Sequence, residues 1–293
     1  MASTFRAACI QFSARPEIGP NLKTGIRLSR EAAARGAKLI ALPEYFSGIA
    51  TEGHQLIPTA FNEADHPAIP AFVALARELG AWILLGSLAV VRPDGRIANR
   101  AYLIDADGRV SARYDKIHLF DVDLGENKLY RESETIAPGS VAVVADTPWG
   151  GLGLSVCYDL RFPQLYRSLA KSGATMLAVP AGFTKLTGMA HWHVLAQARA
   201  IENGAYVIAP CQNGMFEGGG ECFGHSLIVD PWGAIVADGG EDEGVVVAEI
   251  DPAKVVEARR RIPALSHDRD FTTERQGTPR TARRPEPLPA AAK

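Results

Sequence analysis

The sequence repeats itself, and the repeat limits the fold more than any single motif does. Gly36-Ala-Lys-Leu-Ile-Ala-Leu-Pro43 parallels Gly173-Ala-Thr-Met-Leu-Ala-Val-Pro180. Gly80-Ala-Trp-Ile then parallels Gly204-Ala-Tyr-Val, and Leu103-Ile-Asp-Ala-Asp-Gly108 parallels Ile228-Val-Asp-Pro-Trp-Gly233. The offsets are 137, 124 and 125 residues, in the same order along the chain. A chain built this way folds as two copies of one supersecondary unit.

Each unit reads as strand, helix, strand, helix and a closing hairpin. Lys38 to Leu42, Ala81 to Leu85, Leu152 to Val156, Thr175 to Val179 and Tyr206 to Ala209 are short runs of β-branched and aliphatic residues, the pattern of buried strands. Leu22 to Arg35, Ala71 to Leu79, Gln164 to Lys171 and Trp192 to Glu202 space their apolar residues three and four apart, the pattern of amphipathic helices. The Asp-x-x-Gly turns reverse the chain between the hairpin strands. Strands apolar on both faces must be covered on both faces. The sequence therefore predicts an α/β fold in which two sheets pack face to face with helices outside, an α-β-β-α sandwich of duplicated halves. It is expected to occupy residues 1–271. From about Thr272 the chain turns rich in Arg, Pro, Thr and Ala, and 272–293 are expected to form a tail that is flexible or draped over a partner subunit.

Composition excludes several functions. With 31 basic and 33 acidic residues, the net charge of −2 gives no footprint for nucleic acid or an anionic membrane, so a small-molecule partner is favoured. The N-terminus lacks a secretory h-region and no apolar run approaches about 18 residues, which predicts a soluble cytoplasmic protein. The four cysteines form no CxxC pair, and the seven histidines are scattered apart from His191 and His193. Neither a metal nor another cofactor is expected.

Three residues carry the chemistry. Cys157 follows the strand-like LGLSV and precedes a helix, at the carboxyl edge where α/β sheets place ligand sites. A helix N-terminus there would favour the nucleophilic thiolate. The competing reading is a small buried filler. Glu44 lies just past a strand, where the other copy has Ala181. In a dry pocket it would suit a general base, and otherwise it is a surface carboxylate. Lys116 sits among Ile117, Leu119 and Phe120, so a partly buried ammonium there needs a carboxylate partner and can hold an oxyanion. Alternatively it is a solvated hairpin-end lysine.

Four motifs in order, Leu-Pro-Glu-Tyr-Phe, Tyr-Asp-Lys-Ile-His-Leu-Phe-Asp, Glu132-Ser-Glu-Thr-Ile-Ala-Pro-Gly139 and Cys157-Tyr-Asp-Leu-Arg-Phe-Pro163, resemble the nitrilase superfamily of carbon-nitrogen hydrolases. Thr187-Gly-Met-Ala-His-Trp192 and Gly224-His-Ser with Asp230-Pro-Trp-Gly233 look like its Nit branch, which holds omega-amidases and deaminated glutathione amidases. The resemblance implies an αββα fold, pairing of subunits through helices into a homodimer or higher homo-oligomer, and a Glu-Lys-Cys triad of Glu44, Lys116 and Cys157. It also implies a second glutamate, Glu132, that positions the lysine and the thiol, with Glu126 and Glu134 close by in sequence.

On this reading the chain is an amidase that converts a small carboxylated amide to a carboxylic acid and ammonia through a Cys157 thioester, with the backbone N–H of Tyr158 assisting Lys116 at the oxyanion. Arg161 is expected either to pair with a substrate carboxylate, as the resemblance suggests, or to form an ion pair with an acid such as Asp159. Tyr45, Phe46, Phe183, Thr184 and Thr187 are expected at the pocket wall. A substrate of the deaminated glutathione type is favoured over 2-oxoglutaramate or 2-oxosuccinamate, and then over a nitrile or an N-carbamoyl amino acid. A Cys–His dyad using His191 and a silent oligomeric scaffold are the readings set against it. The role of loop 216–221 is open.

Overall fold

The structure is a computed structural model that describes residues 3–52, 55–125 and 129–274. The first half supplies β1 (Phe5–Gln11), α1 (Ile18–Ala34), β2 (Ala37–Ala41), α2 (Ala68–Leu79), β3 (Trp82–Val91), β4 (Ile97–Ile104) and β5 (Val110–Asp115). The second half supplies β6 (Val143–Thr147), β7 (Gly150–Leu154), α3 (Pro163–Lys171), β8 (Ala174–Ala178), α4 (His193–Asn203), β9 (Tyr206–Ala209), β10 (Leu227–Val229) and β11 (Ile235–Asp238). The chain then continues into β12 (Gly244–Ile250) and α5 (Pro252–Arg261).

Both sheets have one plan. The first runs β12-β1-β2-β3-β4-β5 and the second β6-β7-β8-β9-β10-β11. Along each path the second, third and fourth strands are parallel and the other pairings antiparallel, and the short strand Ala60–Asn62 adds to the first sheet parallel to β3. Even the irregularities repeat. The register slips between Arg6 and Ala7 in β1 and between Gly151 and Leu152 in β7, and again at Leu103/Ile104 and Ile228/Val229 in the hairpins. Gly80 and Gly204 end α2 and α4 in the left-handed region, at φ 55° and 52°, which a residue without Cβ adopts freely. One departure from strict repetition was not foreseen: β12, from the far end of the chain, supplies the outer strand of the first sheet.

The period-2 alternation of side chains sorts the core. Ala7, Cys9, Leu39, Ala41, Leu84 and Leu103 point from the first sheet into a buried cluster shared with Leu152, Leu154, Met176 and Ala178 of the second. The thiol of Cys9 donates to the carbonyl of Leu227 across that interface, at 3.6 Å. The opposite face of the first sheet, with Ala8, Ile10, Ile40 and Ile83, packs on Leu28 of α1 and Phe72 and Leu75 of α2. Each fully buried leucine or isoleucine contributes about 1.5–3 kcal/mol to holding these layers. The expected sandwich is therefore the observed one. Residues 272–274 are described without helix or strand, and 275–293 lie outside the described residues together with the expectation placed on them.

Loop 216–221 belongs to a small hairpin, Asn213–Met215 with Glu221–Phe223, that leans on the first half. The carbonyl of Glu217 accepts the N–H of Thr51 at 2.9 Å. Gly218, at φ 90°, comes so close that a Cβ would stand 1.7 Å from the Thr51 carbonyl, so only glycine fits.

Candidate active site

Glu44 lies three residues past β2, at a bend that the sequence forces. Tyr45 takes a left-handed φ of 49°, strained by about 1–2 kcal/mol, and its N–H donates to Ser87 Oγ at 3.0 Å. Gly86 beside that serine would carry a Cβ 1.9 Å from the Leu42 carbonyl, so the bend needs a glycine there. The Glu44 carbonyl accepts Gln212 Nε2 at 2.7 Å. The residue is 5% exposed. Its Oε1 accepts Asn99 Nδ2 at 2.8 Å and Lys116 Nζ at 3.0 Å, and its Oε2 accepts the N–H of Gly182 at 2.8 Å.

Lys116 follows β5, with its N–H donating to the Asn99 carbonyl at 2.9 Å and its own carbonyl accepting the N–H of Gly139 at 2.8 Å. At 2% exposure it is among the most buried large side chains. Nζ bridges Glu44 and Glu132, reaching Glu132 at 2.8 and 3.0 Å. Burial opposes its charge, but the carboxylates of Glu132 and Glu44 outweigh it and hold the ammonium well above the ordinary lysine pKa. Glu132 also accepts the N–H of Phe120 at 2.7 Å. Glu134 is exposed, and Glu126 lies outside the described residues.

Cys157 opens the short 3₁₀ turn Cys157–Arg161 at φ 47°, a strained elbow that turns its side chain toward Glu44. Its N–H donates to the Pro180 carbonyl at 2.8 Å. Asp159, fully buried, fixes the turn by accepting the N–H groups of Val156 and His118 at 2.9 and 3.0 Å and the Tyr114 hydroxyl at 2.7 Å. The expectation of a thiolate favoured by a helix N-terminus is corrected here. α3 begins only at Pro163, and burial together with the nearby Glu44 carboxylate pushes the thiol up, more than Lys116 lowers it. Both effects hold the proton on sulfur, so the thiol needs a base to take it.

The duplication explains the scaffold. Pro180-Ala181-Gly182 is the second copy of the bend Pro43-Glu44-Tyr45. It carries no acid, and instead its Pro180 carbonyl holds the backbone of Cys157 while its Gly182 N–H holds the Glu44 carboxylate.

A cavity of about 330 Å³ opens on Cys157, lined by Glu44, Lys116, Tyr158, Phe183, Thr184 and Thr187 among others. A second of about 370 Å³ adjoins it through Leu56, Phe120, Gly182 and Thr184 and extends to Tyr130 and Glu221. Of the expected wall residues, Tyr45 and Phe46 are not at the surface of either. Tyr45 is buried behind Lys116, its hydroxyl donating to Glu132 at 3.5 Å, and Phe46 packs edge-on to Phe72. Arg161 stands over the rings of Tyr158 and Phe183, at 5.8 and 5.4 Å, beside Nδ1 of His191 at 3.3 Å rather than paired with Asp159. His191 is exposed and outside the cavity lining, which leaves a Cys–His dyad without geometry.

Asn99 is the residue that sequence reasoning missed. It is fully buried, and its Nδ2 donates both to Glu44 and, at 3.3 Å, to Glu132. The available signal was an asparagine on a strand face whose neighbours two residues away, Ile97 and Ala101, are apolar, where that residue is depleted.

Residues 6–260 match the family described as carbon-nitrogen hydrolase. The chain is 41% identical over 268 residues to a deaminated glutathione amidase of Synechocystis, covering 90% of this chain and 97% of that protein. It is 34% identical to the omega-amidase NIT2-B of Xenopus laevis, covering 92% and 98%. Among solved structures it resembles the C. elegans NitFhit protein with a TM-score of 0.82 and 35% identity, covering 92% of this chain and 66% of that longer one.

Proposed function

The chain belongs to the carbon-nitrogen hydrolase family, and from that premise we propose that it is an amidase using Cys157 as nucleophile, Glu44 as general base and acid, and Lys116 as oxyanion partner. The observation that carries this reading is one buried ammonium bridging two carboxylates, one of which shares a cavity lining with a strained cysteine.

The steps follow from the contacts. Glu44 takes the thiol proton as sulfur bonds to the amide carbon, and the carbonyl π electrons move to oxygen. That oxyanion is stabilised by Lys116 and the backbone N–H of Tyr158, each donor worth on the order of 10²–10³ in rate. Glu44 returns the proton to the leaving nitrogen as the C–N bond breaks, leaving a thioester. Water then gives a proton to Glu44, its oxygen bonds to the acyl carbon, and the sulfur leaves and recovers the proton. Glu132 and Asn99 keep Lys116 and Glu44 in place throughout. The products are a carboxylic acid and the amine: ammonia from a primary amide, a larger amine from a secondary one.

The higher identity to the deaminated glutathione amidase of Synechocystis, 41% against 34% for the omega-amidase, favours the deaminated glutathione type over 2-oxoglutaramate. Arg161, which stands over Tyr158 and Phe183 of the cavity lining, is the group this reading assigns to a substrate carboxylate. The exposed Met189, Val194 and Ile201 on and before α4 support pairing of two copies through helices. Among the described residues no helix is long and apolar enough to cross a membrane. Four free cysteines, one of them the nucleophile, fit the reducing cytoplasm.

The test measures carboxylate and amine release from deaminated glutathione, 2-oxoglutaramate, a simple nitrile and an N-carbamoyl amino acid. The reading expects kcat/KM to be highest for deaminated glutathione, and Arg161→Ala to raise KM with little change in kcat. Preference for 2-oxoglutaramate would move the assignment to omega-amidase, and silence toward all four would favour a scaffold.

A further inference from the structure

Far from Cys157 in sequence, α4, the loop before β10 and the end of β11 converge on His193, His225 and Asp238. His193 Nε2 lies 2.9 Å from Asp238 Oδ2, and His225 Nδ1 lies 2.9 Å from Asp238 Oδ1. One ligand-capable atom from each of the three falls within 4.8 Å of the others. The side chains are 28%, 22% and 33% exposed, open to solvent on one side and walled by Phe223 on the other, whose ring stacks on His225 at 4.4 Å.

The backbone is strained to make this arrangement. His225 sits at φ 50°, an unfavourable conformation for a residue with a Cβ. Its carbonyl accepts the indole N–H of Trp192 at 2.7 Å and its N–H donates to the Gly240 carbonyl at 2.6 Å. Gly240 in turn donates to Asp238 Oδ1 at 2.9 Å. The carboxylate is thus fixed by a backbone donor, and the imidazole is aimed at it by a conformation that the local sequence does not favour.

We propose that His193, His225 and Asp238 bind one divalent transition-metal ion of the zinc type, through His193 Nε2, His225 Nδ1 and a carboxylate oxygen, with solvent completing the shell. Two imidazoles and a carboxylate are the donor set such ions prefer over calcium or magnesium. Bonds of about 2.0–2.2 Å in a tetrahedron place ligand atoms roughly 3.3–3.5 Å apart. The 2.9 Å contacts open to that spacing by about half an ångström. The ion would tie α4 to the β10–β11 hairpin. Phe223, which packs on both histidines, donates its N–H to the Phe183 carbonyl at 2.9 Å, so the site backs the cavity wall. The site stands apart from the amidase chemistry and does not depend on it.

The experiment uses the full chain carrying Cys157→Ala, so that the reactive thiol does not compete for metal, after chelator treatment. Zn²⁺ is titrated calorimetrically, and Co²⁺ is followed by its visible d–d absorption. The expected result is one equivalent bound, the intense absorption of four-coordinate Co²⁺, and a Tm raised by about 5 °C at a hundredfold excess of Zn²⁺ over Kd. His193→Gln, Asp238→Asn and His225→Asn, the last able to keep the left-handed backbone, should each weaken binding at least tenfold. If either exposed variant, His193→Gln or Asp238→Asn, retains full affinity with its circular dichroism intact, or if the parent binds no ion, the proposal is overturned.

Discussion

The Oε2 of Glu44, carried by the first sheet, accepts the backbone N–H of Gly182, carried by the second, at 2.8 Å. The Glu44 carboxylate, the base of the proposed reaction, is thereby held by both copies of the repeat, and any slip between the sheets moves it relative to Cys157. Preorganisation of this kind is what a proton transfer needs, because misplacement by an ångström removes most of the rate advantage.

Replacing Cys157 by serine or alanine should abolish turnover by at least about a thousandfold, since no other described side chain lines the cavity as a nucleophile on the elbow. The fold should survive, with circular dichroism and Tm close to the parent. Substantial activity in Cys157→Ser would remove the cysteine from the mechanism.

Lys116→Met leaves Glu44 and Glu132 buried and facing each other without their cation. The expected loss is about 3–5 kcal/mol of stability, read from the urea midpoint, together with at least a hundredfold in kcat. Adding Glu132→Gln should recover part of the stability and none of the rate.

Asn99→Leu should lower kcat roughly 10–100-fold, equivalent to about 1–3 kcal/mol for a lost buried donor to a carboxylate. Asn99→Asp should be worse, because a third carboxylate would then share a single ammonium. An unchanged kcat in Asn99→Leu would reduce this residue to packing.

The acid limb of stability should depend on His66. Burial depresses its pKa to about 4, and its Nδ1 accepts the N–H of Ala68 at 3.3 Å, which only the unprotonated ring can do. Between the usual histidine value and about 4, the unfolded chain binds the proton and the folded chain does not. Stability should thus fall as pH drops through that window, by up to about 3 kcal/mol. In His66→Gln, unfolding midpoints across pH 6.5 to 4 should be flatter by that amount.

The fold was legible because the repeated Gly-Ala strands and Asp-x-x-Gly turns each recur in a fixed order, and Glu44, Lys116 and Cys157, which stand out in the sequence at the ends of apolar strands, are groups the fold brings together. What escaped depends on distant packing. Asn99 reads locally as a poor strand residue, and its two acceptors arrive from 55 and 33 residues away. The upward push on the Cys157 thiol comes from burial and from Glu44, neither of which is visible in Leu-Ser-Val-Cys. Tyr45 was read as pocket wall from its neighbour, whereas a left-handed φ sends its side chain behind the base.

Because β12 lies beside β1, the outermost ladder of the first sheet joins Phe5 to Ile250 and Gln11 to Gly244. During synthesis the amino-terminal copy emerges early, yet its sheet has a bare edge until nearly the whole chain has left the ribosome. A lone first half would present that edge of β1 as a template for other strands. Two copies of one motif have thus become a single obligate folding unit of high contact order, slow to complete and vulnerable to aggregation if the chain stops short of residue 250.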